Sequence, residues 1–194
     1  MGLHGRHRCV EELVDAYYVP LYRYAYRLTG SGADAEDLTQ EAFCKAQPKL
    51  CQLRDPACAK PWLFRILRNA YLHKVRAAKS HHCASLEDMS EVPERPPDSG
   101  ALVEPEKLQE ALNELPEVFR TPIILYYFDD FSYRDIAEQM EVPLGTVMSR
   151  LARAKAYLRR RLLSLTLSSP VGSGGKRDRA VPETAAEGRA TDGL

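Results

Sequence analysis

The most constraining feature of this chain is a pair of short helix patterns joined by a tight turn at 131–162, FSYRDIAEQMEVPLGTVMSRLARAKAYLRRRL. Ser132 and Asp135 have the S-x-x-D spacing of a capping box, in which side-chain oxygens take amide hydrogens that a helix start leaves unpaired. That helix carries Ile136, Ala137 and Met140 inward. The run at 141–145, with Pro143 and Gly145, then breaks it, because proline lacks the amide donor a continuing helix needs but suits the first turn of a new one. In the second helix Val147, Leu151, Ala154, Leu158 and Leu162 form one apolar stripe, while Arg150, Arg153, Tyr157 and Arg160 occupy another face. With small residues Thr146 and Ser149 at its front, this is the pattern of a helix-turn-helix, whose second helix enters the major groove by its N-terminal end.

A DNA-binding chain is expected to be basic, yet the formal net charge over 194 residues is +0. The sum conceals segregation. Lys45, Lys49, Arg54, Lys60, Arg65, Arg68, Lys74, Arg76 and Lys79 face only Asp55 in one stretch. In another, Glu87, Asp88, Glu91, Glu94, Asp98, Glu104 and Glu106 face only Arg95. A local field decides what a surface attracts, so zero net charge does not exclude a nucleic-acid partner. No run reaches the roughly 18 apolar residues of a membrane helix, and the N-terminus has no apolar signal core, so a cytoplasmic protein without membrane insertion is expected. Cys9, Cys44, Cys51, Cys58 and Cys83 make an odd set without a dense disulfide framework, which points to reduced thiols.

Along the chain, Leu13, Tyr17, Leu21, Tyr24 and Leu28 predict a first helix with a kink or break at Pro20. Asp34, Glu36 and Asp37 lie in the first turns of a second helix, where acids suit the helix dipole, and Leu38, Ala42 and Ala46 continue it. Residues 51–60 read as a loop. Pro61 opens a third helix with Leu63, Ile66, Leu67 and Ala70 toward a core and Arg65, Asn69, His73 and Arg76 along a basic wall. Prolines and acids fill 80–103, the pattern of a flexible tether. Beyond it come Leu108, Leu112 and Leu115, then Ile123, Ile124 and Tyr127 pointing inward, and finally the two-helix motif. The tail after Leu165 is too polar and glycine-rich to offset the entropy cost of folding.

The chain is therefore read as all-α, with two small helical domains joined by a flexible acidic linker, the second containing the helix-turn-helix. The boundaries are 1–79, 80–104, 105–165 and a disordered tail at 166–194. Nothing resembles a phosphate loop or a nucleophile-base set, so no enzymatic activity and no cofactor are expected. His81, His82 and Cys83 are zinc-ligand types, but three adjacent ligands close a tetrahedron poorly, so no metal site is read there.

Three passages, LYRYAYRLTGSGADAEDLTQEAF at 21–43, PWLFRILRNAYLHKVR at 61–76 and FSYRDIAEQMEVPLGTVMSRLARAKAYLRR at 131–160, resemble in order and spacing the extracytoplasmic-function sigma factors of bacterial RNA polymerase. The resemblance implies that the first domain docks on the polymerase core through Asp37, Gln40 and Glu41. It implies that the third helix holds melted minus-10 DNA through Arg65, Asn69, His73 and Arg76. The second domain would read the minus-35 element of promoter DNA through Thr146, Met148, Ser149, Arg150 and Arg153, and an anti-sigma factor is the implied further partner. Trp62 is read as a core residue, not a base-stacking one. The alternative from the residues alone is a helix-turn-helix regulator that is not a polymerase subunit; an adaptor protein is a third class.

Overall fold

The computed structural model describes residues 3–53, 55–78 and 104–167, and all their regular structure is helical. The expected tether at 80–103, with His81, His82 and Cys83, and the tail from 168 lie outside the described residues. Helix α1 spans Leu3–Thr29, α2 Gly32–Ala46 and α3 Ala59–Ala78. Helix α4 spans Pro105–Glu114, α5 Glu117–Phe128, α6 Tyr133–Met140 and α7 Leu144–Leu167.

Several local expectations change. Helix α1 runs through Pro20 without a break, since Leu21, Tyr24, Ala25 and Leu28 on one stripe are buried and their packing offsets the amide hydrogen bond that proline cannot make. It ends at Gly30, whose φ of +73° is the left-handed conformation that closes many helices. Ser31 then caps α2 by accepting the Asp34 amide. The expected loop before the third helix holds two 3₁₀ turns, Gln47–Gln52 and Pro56–Cys58, the second capped by Asp55. Helix α3 starts at Ala59, two residues ahead of Pro61, so the proline sits inside its first turn, where no amide partner is lost. Trp62 is half-buried against the core, as expected of a packing residue.

The residues toward the C-terminus fold around the stripe read from sequence: Val147, Leu151, Ala154 and Leu158 of α7 are buried with Ile136 and Met140 of α6 and Ile123, Ile124 and Leu125 of α5. Tyr127 is a correction. Its spacing of three and four from Ile124 and Ile123 puts it on their face, yet in the last turn of α5 its ring stands exposed, edge-on to Tyr126.

The larger difference is tertiary. Residues of α1–α3 and of α4–α7 belong to one continuous apolar core, in which Phe64 of α3 lies between Tyr24 and Phe131, ring centroids 4.9 and 5.2 Å away. The two halves therefore pack directly on each other.

Candidate nucleic-acid interface

The turn between α6 and α7 is set by Glu141 and Pro143. The capping box at Ser132 and Asp135 is complete: the Asp135 amide donates to the Ser132 hydroxyl at 3.2 Å, and the Ser132 amide donates to the Asp135 carboxylate at 3.0 Å. At the other end of α6 the left-handed residue is Glu141, φ 55°, whose amide bonds back to the Ala137 carbonyl. Gly145 is not the turn residue. It lies in the first turn of α7, and a Cβ placed there would meet nothing within 4 Å. Pro143 stands before the helix, and its carbonyl accepts the Thr146 and Val147 amides.

On α7, Met148, Ser149 and Arg153 are exposed and Thr146 and Arg150 are half-buried, so the five residues named from sequence share the open N-terminal half of the helix. Met148 has 52% of its surface exposed and Leu144, which sequence reasoning passed over, 48%. The signal for Leu144 was its place directly after Pro143. Tyr157 stays beside Arg160, whose guanidinium lies 5.8 Å from its ring centroid, but it is half-buried and its hydroxyl donates to Glu114 at 2.8 Å. Arg161 clamps the same carboxylate with contacts of 2.7 and 2.6 Å. That clamp fastens the C-terminal half of α7 to the end of α4, and the Arg161 guanidinium holds the Glu114 carboxyl below its ordinary range.

Arg65, Asn69, His73 and Arg76 are all exposed on α3, and their spacings of three and four put them on one wall. Arg65 is not free, since it donates to the Glu138 carbonyl at 3.2 Å. Arg68, counted among the basic residues, turns instead toward α5 and α6, donating to the Gln139 carbonyl at 3.0 Å and standing 3.7 Å from Glu117. On α2, Asp37 and Gln40 are exposed while Glu41 is paired with Lys45 at 2.6 Å and Lys74 at 3.1 Å. The hydrogen bond from Lys45 lowers the Glu41 pKa most, with Lys74 adding to it, so the Glu41 carboxylate braces α2 against α3.

Cys44, Cys51 and Cys58 are free, as expected, and exposed, because α2 and the 3₁₀ turns present them outward. Among the described residues no group of His, Cys, Asp and Glu could hold a metal ion, and no helix is long and apolar enough to cross a membrane.

Two helical units, the second ending in a capped helix-turn-helix with an open basic face, make the architecture of a DNA-binding protein. Residues 13–81 match the family Sigma-70 region 2 and residues 106–158 match Sigma-70, region 4. The chain belongs to the extracytoplasmic-function sigma factors, non-catalytic subunits that direct RNA polymerase core to promoters. It is 37% identical over 154 residues to the sigma factor SigE of Mycolicibacterium smegmatis, a match covering 77% of this chain and 60% of that longer protein. It is 30% identical over 166 residues to SigW of Bacillus subtilis, covering 79% of this chain and 89% of that one. Among solved structures it is similar to RpoE of Bartonella quintana in complex with the anti-sigma factor NepR, with a TM-score of 0.63, 29% identity, and coverage of 80% and 96% of the two chains.

Proposed function

We propose that the chain recognises a promoter in two pieces, region 4 reading the minus-35 element as duplex and region 2 holding the melted minus-10 strand. The observation that carries this reading is the division of α7. Its apolar stripe is spent on the core, and its N-terminal half offers Thr146, Met148, Ser149, Arg150 and Arg153 outward, beside a Gly145 backbone that no side chain crowds. Arginine can pair with guanine edges or phosphates through its planar fork, and an exposed methionine can meet a thymine methyl. On α3, Arg65, Asn69, His73 and Arg76 are the proposed contacts to the single strand, where cations follow the backbone. Asp37 and Gln40, with Glu41 bracing them, are the proposed polymerase contacts.

Residues 80–104 serve in this reading as the acidic linker between the two regions. The site of action is the cytoplasm, where RNA polymerase works, and an anti-sigma factor is the proposed regulator, by analogy with the NepR complex. The matched region 2 distinguishes this reading from an independent helix-turn-helix regulator, which has no need of a polymerase-docking half.

Run-off transcription with purified core polymerase tests it: the chain is expected to confer initiation at a specific promoter. Arg150→Ala and Arg153→Ala are each expected to weaken minus-35 binding by about 1 to 3 kcal/mol if the contact is to a base. Unchanged affinity in both folded variants would remove α7 from the interface. A second pair of variants separates the two halves. Asp37→Lys with Glu41→Lys should reduce association with core and leave minus-35 binding alone. Arg65→Ala with Asn69→Ala should spare core association and impair promoter opening, read by permanganate footprinting; normal melting would strike both residues from the site.

A further inference from the structure

The front of α7 carries an apolar strip that the core does not use. Leu144 and Met148, four positions apart, keep 48% and 52% of their surface exposed, and Ala152, four further on, is exposed as well. The residues beside them are small. A Cβ at Gly145 would meet nothing within 4 Å, and the exposed Ser149 turns its hydroxyl back to donate to the Thr146 carbonyl at 3.0 Å. Leu144 and Met148 therefore project from a low surface, and the first turn, Leu144 to Val147, holds no charged side chain. With about 3.6 residues per turn, Arg150 and Arg153 fall on the opposite flank of the same open side.

A single exposed leucine is ordinary on a protein surface, so it is the placement that matters. The N-terminal part of the second helix of a helix-turn-helix is the part that meets base edges, and the match to Sigma-70, region 4 makes DNA the occupant. In the major groove the apolar group of a base edge is the C5-methyl of thymine; cytosine has only hydrogen at that carbon, and the purines offer hydrogen-bonding atoms. A leucine or methionine set against those polar atoms strips them of water and returns no hydrogen bond. Against a thymine methyl the same side chain removes apolar surface from water on both partners. Four residues rise about 6 Å along a helix, under two base-pair steps of about 3.4 Å, so the two side chains are spaced to meet neighbouring pairs.

We infer, resting on the assignment of α7 to the minus-35 element, that Leu144 and Met148 are specificity-determining residues that read thymine methyl groups on neighbouring A·T pairs of that element. The two flanks of the helix then divide the work. Arg150 and Arg153 hold phosphates or guanine edges through their planar forks, and the apolar strip selects A·T over G·C at the pairs it covers. Gly145 and Ser149, between the flanks, leave room for the base edges to come close.

Deoxyuridine in place of thymidine tests this, since it removes the methyl and keeps every hydrogen-bonding group. Holoenzyme is titrated onto the promoter found by run-off transcription, with thymidines of the minus-35 element replaced one at a time on either strand. Binding is expected to weaken about fourfold at each of two neighbouring pairs, the worth of one buried methyl. Leu144→Ala and Met148→Ala should each lose the sensitivity at one of those pairs, whereas Arg150→Ala should weaken binding to both DNAs and keep it. Both apolar side chains are exposed, so the variants should retain wild-type helix content by circular dichroism. Methyl sensitivity that persists unchanged in both alanine variants would trace to duplex shape and overturn the inference. So would a minus-35 element without sensitive A·T pairs while Arg150→Ala still weakens binding, and the two-element reading would then stand. If neither deoxyuridine nor Arg150→Ala with Arg153→Ala alters binding, the assignment of α7 to the minus-35 element falls as well.

Discussion

Phe64→Ala is expected to lower the unfolding free energy by about 3 to 5 kcal/mol, the cost of deleting a fully buried aromatic ring and leaving a cavity. Phe64 is wholly closed to solvent, with Tyr24 on one side, Phe131 on the other and the Lys60 ammonium 5.7 Å from its ring centroid. Tyr24 is held in α1 and Phe131 in the connection between α5 and α6, so neither neighbour collapses readily into the space. The loss is measured by urea denaturation of the full chain followed by circular dichroism. A change under about 1 kcal/mol would mean the ring does not occupy the core, since surface substitutions fall in that range.

The second large effect is a dependence on pH set by Asp129. Its carboxyl is buried at the end of α5, one oxygen without a hydrogen-bond partner among the described residues. Burial raises its pKa from 3.8 to about 7, against the opposing pull of Lys60 and with help from Asp130. Between those two values the folded chain keeps a proton that the unfolded chain has released. Stability from this group is therefore fully present below about pH 4 and is lost as the pH rises to about 7, then stays level. At roughly 1.4 kcal/mol per pH unit the full loss is on the order of 4 kcal/mol. Asp129→Asn carries no such proton and should be flatter over that window and more stable than wild type at pH 8. Parallel stability profiles for the two chains between pH 4 and 8 would show that Asp129 is ionised in the folded state throughout.

The helices and the exposed faces of the candidate site were largely legible because they are local facts. A capping box needs residues three apart, and an apolar stripe needs spacings of three and four; both can be read in Ser132, Asp135 and the Val147–Leu158 series without knowing what lies opposite. The exposed wall of Arg65, Asn69, His73 and Arg76 followed from the same periodicity. Legibility failed wherever an outcome depended on a partner distant in sequence. Tyr157 reads as a residue of the polar face, yet Glu114, 43 positions away, takes its hydroxyl. Pro20 reads as a breaker, yet α1 holds because its neighbours on both sides are pinned by packing.

By itself, the sequence determined an all-α chain, its two halves, the helix-turn-helix and the residues on its open face, since periodicity, capping and turn chemistry act within a few residues. Only the tertiary structure decided that the halves share one core, that Lys60, Arg68, Gln109 and Arg120 cap helix ends in the opposite half, and that Asp129 is buried where they meet. The physical reason is that unpaired carbonyls occur at every helix end, and no local pattern records which distant donor will satisfy them.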